Sequence, residues 1–159
     1  MFRNIISAIA IGLFPAGAYA AQTNFTLSPA LTINAACTVA GGSINFGVIA
    51  TTALATDATG SLTITCTPSS HYEIGLDAGQ NASTVTTRRM KFGASQFMNY
   101  ALYLDLARTQ NWGQTAGTDT IGGNGNGAPR IFTVYGRIPS QTTPLSGVYT
   151  DIVRIVVTY

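Results

Sequence analysis

Apolar and polar residues alternate with a period of two along most of this chain. Leu62, Ile64 and Cys66 alternate with Thr63 and Thr65, and Tyr72, Ile74 and Leu76 alternate with Glu73 and Gly75. A period of two sends successive side chains to opposite faces of an extended backbone, so each run predicts a half-buried strand. Met90 and Phe92 mark another short strand ending at Gly93, and Tyr100, Leu102, Leu104 and Leu106 form one face of a longer one. Trp112-Gly113 and the run Gly122-Gly123-Asn124-Gly125-Asn126-Gly127 read as a long loop, after which strand character resumes over residues 131–138 and 148–159. Turn formers such as Asp77-Ala78-Gly79 separate the runs at the spacing of a β-sandwich. No segment sustains a period of 3.6, and the predicted class is all-β.

The two ends of the chain carry the most informative patterns. Near the C-terminus Val153, Ile155 and Val157 are apolar on alternate positions, flanked by Tyr149 and Tyr159, while Thr150, Arg154 and Thr158 occupy the other parity. One face of this strand belongs in a core, and the sequence printed after it holds no further turn or strand. Near the other end Phe25, Leu27, Leu31 and Ile33 alternate with polar residues, with Pro29 interrupting. An apolar extended terminus has two fates: it folds back as the first strand of its own domain, or it inserts into another molecule. The proline favours an edge or an unusual slot over a central strand.

The first twenty residues form a separate element. Arg3 supplies a basic start, residues 5–14 are apolar, and Ala18-Tyr19-Ala20 ends the stretch in an A-x-A pattern. This is the layout of a secretory signal peptide, with an apolar run too short to span a bilayer. The remaining residues have room for one domain. Without Arg3 they carry seven Lys+Arg against six Asp+Glu, with no basic cluster beyond Arg88-Arg89-Lys91. Nucleic-acid binding has no electrostatic footprint here, and the three basic residues read as a solvated strand or turn. In an oxidising compartment the two cysteines, Cys37 and Cys66, predict a disulfide. A metal site fails on ligand count, since His71 is the only histidine and no C-x-x-C is present.

Catalytic chemistry finds little support. There is no G-x-S-x-G, the cysteines are expected to be paired, and no nucleophile stands out. Asp77 and Asp151 sit in turn-like or strand-opening sequence, where structural hydrogen bonding accounts for them. The glycine run lacks the strand-then-helix context of a phosphate loop. Trp112 reads as a core or loop anchor in preference to a sugar-stacking surface. No enzyme activity and no cofactor are expected.

Ordered motifs then carry a resemblance. Cys37 is followed by Ile44-Asn45-Phe46-Gly47, Gly60 and Ile64-Thr65-Cys66. Tyr72-Glu73-Ile74-Gly75-Leu76-Asp77-Ala78-Gly79, Arg89-Met90, Asn99-Tyr100-Ala101-Leu102-Tyr103, Trp112-Gly113, Val134-Tyr135-Gly136-Arg137-Ile138 and Gly147-Val148-Tyr149-Thr150-Asp151 follow in turn. Together these resemble the spore coat protein U family, which includes subunits of archaic, Csu-type chaperone–usher pili. The resemblance implies an incomplete immunoglobulin-like β-sandwich, residues 36–159, completed by donor-strand complementation. It implies that residues 21–35 form a donor segment, with Phe25, Leu27, Leu31 and Ile33 as plugs and Ala35 a weaker one. Val153, Ile155 and Val157 would line part of the acceptor groove. Implied partners are neighbouring subunits, a periplasmic chaperone and an outer-membrane usher, and the implied place is a surface fimbrium reached through the periplasm. The expected role is a shaft or adaptor subunit in adhesion and biofilm formation. The alternatives are a spore or cell-coat protein assembled in the same way, or a self-contained secreted carbohydrate-binding module.

Overall fold

A computed structural model describes residues 25–159. The signal-peptide expectation, and residues 21–24 of the donor segment, lie outside the described residues. The chain divides between Thr32 and Ile33. In the first unit, the described residues 25–32 hold no strand, and Phe25, Leu27 and Leu31 are 86–92% exposed. Ile33 opens the second unit and is also exposed.

The second unit is all-β, with no helix among the described residues. Its strands are β1 (Cys37–Ala40), β2 (Thr56–Cys66), β3 (His71–Leu76), β4 (Arg89–Phe92), β5 (Gln96–Asn99), β6 (Ala101–Tyr103), β7 (Ile121–Asn124), β8 (Arg130–Ile138) and β9 (Ile155–Thr158). One sheet has the order β1-β2-β8-β6, a second the order β7-β3-β9, and β4-β5 is a hairpin. Every pairing is antiparallel. The longest runs from Thr56↔Ile138 to Ile64↔Arg130. It places Leu62, Ile64, Val134 and Ile138 on one face, in one buried cluster with Tyr72, Ile74 and Leu76 of β3 and with Trp112. Alternation within each strand thus becomes a two-layer core.

Four local expectations are corrected. The glycine run is partly strand: Gly122 and Gly123 belong to β7 and pair with Glu73 and Tyr72. A Cβ on Gly123 would lie 2.7 Å from the Tyr72 hydroxyl, so the missing side chains leave room for the Tyr72 ring to lie across this strand. The strand expected over Tyr100–Leu106 shrinks to Ala101–Tyr103. Asp105 ends it: its carboxylate accepts from the N–H groups of Thr109 and Gln110, and Arg108 takes φ 56° in the resulting turn. The strand expected from Val148 is regular only over Ile155–Thr158. Finally, Arg88 is not solvated; it is 0% exposed.

Arg88 is buried because its fork meets four carbonyls. Its Nε donates to Asp77 O at 2.8 Å, one terminal nitrogen to Val85 O at 3.0 Å, and the other to Leu76 O and Trp112 O at 2.7 and 2.8 Å. Burial lowers its pKa, while the Tyr100 hydroxyl and the carboxylates of Asp77, Asp119 and Asp151 pull it back up. Arginine stays charged under such conditions, and only a planar five-donor group fits this set of acceptors.

Candidate strand-acceptor groove

The site begins with a pair of glycines. Gly60 of β2 and Gly136 of β8 lie on inward-facing positions of adjacent strands. A Cβ on Gly60 would stand 2.5 Å from Ile44 Cγ1, and one on Gly136 would stand 2.9 Å from Phe46 Cζ. Their bare Cα atoms therefore let the segment after β1 cross over the inner face of the first sheet, with Ile44 and Phe46 pointing into the core. Gly42 belongs to the same crossing, since its Cβ would meet Ser61 O at 2.5 Å. Phe46 packs edge-on to Tyr100, with ring centroids 6.4 Å apart.

Opposite this segment runs the chain entering β9, and between the two lies an apolar groove. It consists of two adjoining cavities of about 380 and 500 Å³ that share Ile44, Phe46, Met90 and Tyr149. In the first, residues 42–44 and Phe46 face residues 149–153 and Ile155 over Leu62 and Val134. In the second, residues 44–52 face residues 143–149 over Met98 and Ile138.

Both walls offer bare backbone. Between Ser43 and Ala50, the one backbone hydrogen bond among the described residues is Gly47 N–H to Asn45 Oδ1, at 2.8 Å. On the other wall β9 pairs with β3 alone. Thr150 exchanges both backbone bonds with Lys91, and Arg154 O accepts from Asp77 N–H at 3.0 Å. Residues 150, 154, 156 and 158 thus direct their polar groups toward β3 and β4. By the alternation of an antiparallel ladder, Val153, Ile155 and Val157 direct theirs into the open edge. An extended chain laid in the groove would meet donors and acceptors on both sides and set alternate side chains over Leu62 and Val134.

The β9 wall is held by a polar cluster. Asp151 Oδ2 accepts from the Tyr100 hydroxyl at 2.6 Å, and Oδ1 accepts from Gln80 N–H and Asn81 Nδ2 at 3.0 and 2.9 Å. Burial, and then the hydrogen bond to Asp151, push the Tyr100 pKa well above the ordinary tyrosine range. Asp77 caps the neighbouring corner: its Oδ1 accepts from Gly79 N–H and Arg154 N–H, both at 2.9 Å.

Val153 and Ile155 line the first cavity. Val157 lies two residues further along β9, opposite Ile74, where it packs on the core outside both cavities. Cys37 and Cys66 form a disulfide between directly paired residues of β1 and β2. Ile44, Phe46, Tyr149 and the glycines beneath them escaped the sequence reading of the groove. Their signal was a short alternation, Ile44-Asn45-Phe46, lacking any hint of what it faces. Trp112 is buried, with Nε1 donating to Ile74 O at 3.0 Å. His71 is exposed, 3.8 Å from Glu73. Among the described residues, no group of three or more His, Cys, Asp and Glu is placed to hold a metal ion.

Comparisons with known proteins bear on this geometry. The family model described as Spore Coat Protein U domain matches residues 21–156. Protein U of Myxococcus xanthus is 34% identical over 165 residues, which take in 94% of this chain and 90% of that protein. Among solved structures, similarity extends to the crystal structure of the CsuC–CsuE chaperone–tip adhesion subunit pre-assembly complex from archaic chaperone-usher Csu pili of Acinetobacter baumannii. That match has a TM-score of 0.62 at 18% identity and covers 80% of this chain. It covers 41% of the other chain, so the likeness is one of fold.

Proposed function

The chain belongs to the Spore Coat Protein U domain family, and on that premise we propose that it is a structural subunit of a secreted surface fibre. The fibre is of the archaic chaperone–usher kind, and it grows by donor-strand exchange. The observation that carries this reading is the groove itself: an apolar slot whose two walls, residues 43–50 and 149–155, both present unpaired backbone. Such an edge invites strand addition, with main-chain bonds supplying affinity and alternate side-chain pockets supplying selectivity. The occupant is the N-terminal segment of another copy or of a related subunit. Phe25, Leu27, Leu31 and Ile33 act as its plugs, and Val153 and Ile155, continued by Val157, form the accepting strand. Each contact is head-to-tail, so assembly gives a filament and not a closed dimer.

The reading extends to the route and the partners. The subunit passes through the periplasm, where a chaperone fills the groove, and an outer-membrane usher exchanges that strand for the next subunit's segment. It then serves as a shaft or adaptor in adhesion and biofilm formation. The family description favours a second reading, a spore or cell coat assembled by the same exchange. The presence of a chaperone and an usher encoded beside this chain would distinguish the pilus from the coat.

The test expresses residues 21–159, with and without residues 21–34, in a periplasm that also holds the chaperone. Products are run unheated on an SDS gel. A ladder from the longer chain that collapses to a chaperone-bound single subunit on truncation is the expected result. A soluble monomer from the longer chain alone, destabilised by truncation, would mean that the segment completes its own sandwich, and fibre assembly would be refuted.

A further inference from the structure

We infer that the Cys37–Cys66 disulfide is a tension clasp that keeps a pull on the N-terminal segment from opening the groove of the same subunit. The inference rests on the strand-donor reading, because only a donor segment held in another molecule transmits tension to this point.

The geometry sets the order in which parts of the subunit are loaded. The N-terminal segment joins the sandwich at Ala36, whose N–H donates to Thr67 Oγ1 at 3.1 Å and whose carbonyl accepts from Thr67 N–H at 2.9 Å. The next residue is Cys37, paired with Cys66 and cross-linked to it. A pull arriving from the N-terminal side therefore meets the covalent bond immediately after the Ala36–Thr67 contact. Beyond it only three residues of β1, Thr38–Ala40, remain, and they pair on one side only, with β2. After β1 the chain passes through Gly41 and Gly42 directly into Ile44 and Phe46, which form the groove wall.

That wall has almost no backbone anchorage of its own, since Gly47 N–H to Asn45 Oδ1 is its one bond between Ser43 and Ala50 among the described residues. Without the cross-link, tension is borne by the short β1 ladder, whose few hydrogen bonds are each weak once water can replace them. Once β1 lifts, Ile44 and Phe46 follow, and the strand lodged against them loses one of its two walls. With the cross-link, tension crosses to Cys66 at the end of β2. That strand is held to β8 from Thr56↔Ile138 through Ile64↔Arg130. The segment from Thr38 to Ala55 then lies off the path of force. The bond is placed where it separates the two jobs of one subunit, donating a strand and accepting one.

Pulling single molecules of residues 21–159 with optical tweezers tests this. One handle is placed ahead of Phe25 and the other at Tyr159, for the oxidised chain, for Cys37→Ala with Cys66→Ala, and for the wild type under dithiothreitol. The last of these keeps the measurement available should the double variant fold poorly. The expected result is an early event, at less than half the force of the first event in the oxidised chain, in both forms lacking the bond. It releases residues 37–55, about 6–7 nm at roughly 3.5 Å per residue. With the first handle moved to Leu54, which is exposed and enters β2 directly, all three forms should break at the same force. If the disulfide only stabilised the fold, its loss would lower the force on both axes equally, and that outcome, or no early event on the first axis, would overturn the clasp. The unheated-gel assay on the same chains keeps the two ideas apart. Absence of a ladder from the wild type rejects strand donation, whereas a ladder combined with no early event on the first axis rejects only the clasp.

Discussion

Replacing Arg88 by methionine keeps a long, flexible side chain in the core and removes the donor for four carbonyls at once. Two of those acceptors, Leu76 O and Trp112 O, take hydrogen bonds that are fully buried, while the bonds to Asp77 O and Val85 O are partly accessible. Each buried carbonyl left without a donor costs about 1–3 kcal/mol. Water can reach the other two and limit their cost. The charge removed was itself expensive to bury, which offsets part of the loss. The expected net destabilisation is about 3 kcal/mol. With a slope of roughly 2 kcal/mol per molar urea, the unfolding midpoint falls by about 1.5 M. Trp112 is the sole tryptophan and is fully buried beside this guanidinium, so its fluorescence reports the transition directly. Arg88→Lys separates charge from geometry: an ammonium has three donors and no planar fork, and this variant is expected to recover less than half of the loss. A methionine variant within about 0.3 M of the wild-type midpoint would show that the four carbonyls do not depend on Arg88, and the argument from buried acceptors would fail.

Two further substitutions address the groove and its wall. Gly60→Val forces a side chain into space held by Ile44 and Ser43. It should destabilise the sandwich by about 1–3 kcal/mol and weaken binding of a synthetic peptide of residues 21–35 at least tenfold by calorimetric titration; unchanged affinity would remove Ile44 and Phe46 from the wall. Tyr100→Phe tests the proton held against Asp151. Because the folded-state pKa is raised, the unfolded chain ionises near pH 10 while the folded chain does not, so this contribution is complete below about pH 10 and is lost as pH rises above it. Urea midpoints at pH 7 and near pH 10.8 should decline less in the variant than in the wild type, although the variant starts lower by about 1–2 kcal/mol for the lost bond to a carboxylate; parallel declines would rule out Tyr100 as the source.

Much of the fold was legible because strand periodicity is local. The alternations at Tyr72–Leu76 and residues 131–138 became β3 and β8 with little change, and that at Leu62–Cys66 became the second half of β2. Periodicity carries no signal where an element owes its existence to a partner. The half of β2 before Leu62 is poor in apolar residues, yet it pairs with β8 down to Thr56. β7 is glycine-rich and became a strand because β3 pairs with it, its bare glycines leaving room for the Tyr72 and Glu73 side chains. The buried state of Arg88 had no sequence signal, since its acceptors are carbonyls, which every residue carries.

The sequence by itself determined the all-β class, the two cysteines available for pairing, and the two apolar alternations near its ends. A period of two follows from the geometry of one extended chain and needs no knowledge of neighbours. Only the tertiary structure decided that residues 43–50 and 149–155, about a hundred positions apart, face each other across an apolar gap, each leaving backbone groups on that side without a partner among the described residues. An open edge is a relation between strands, set by which pairings form and which do not, and no single stretch of sequence contains it.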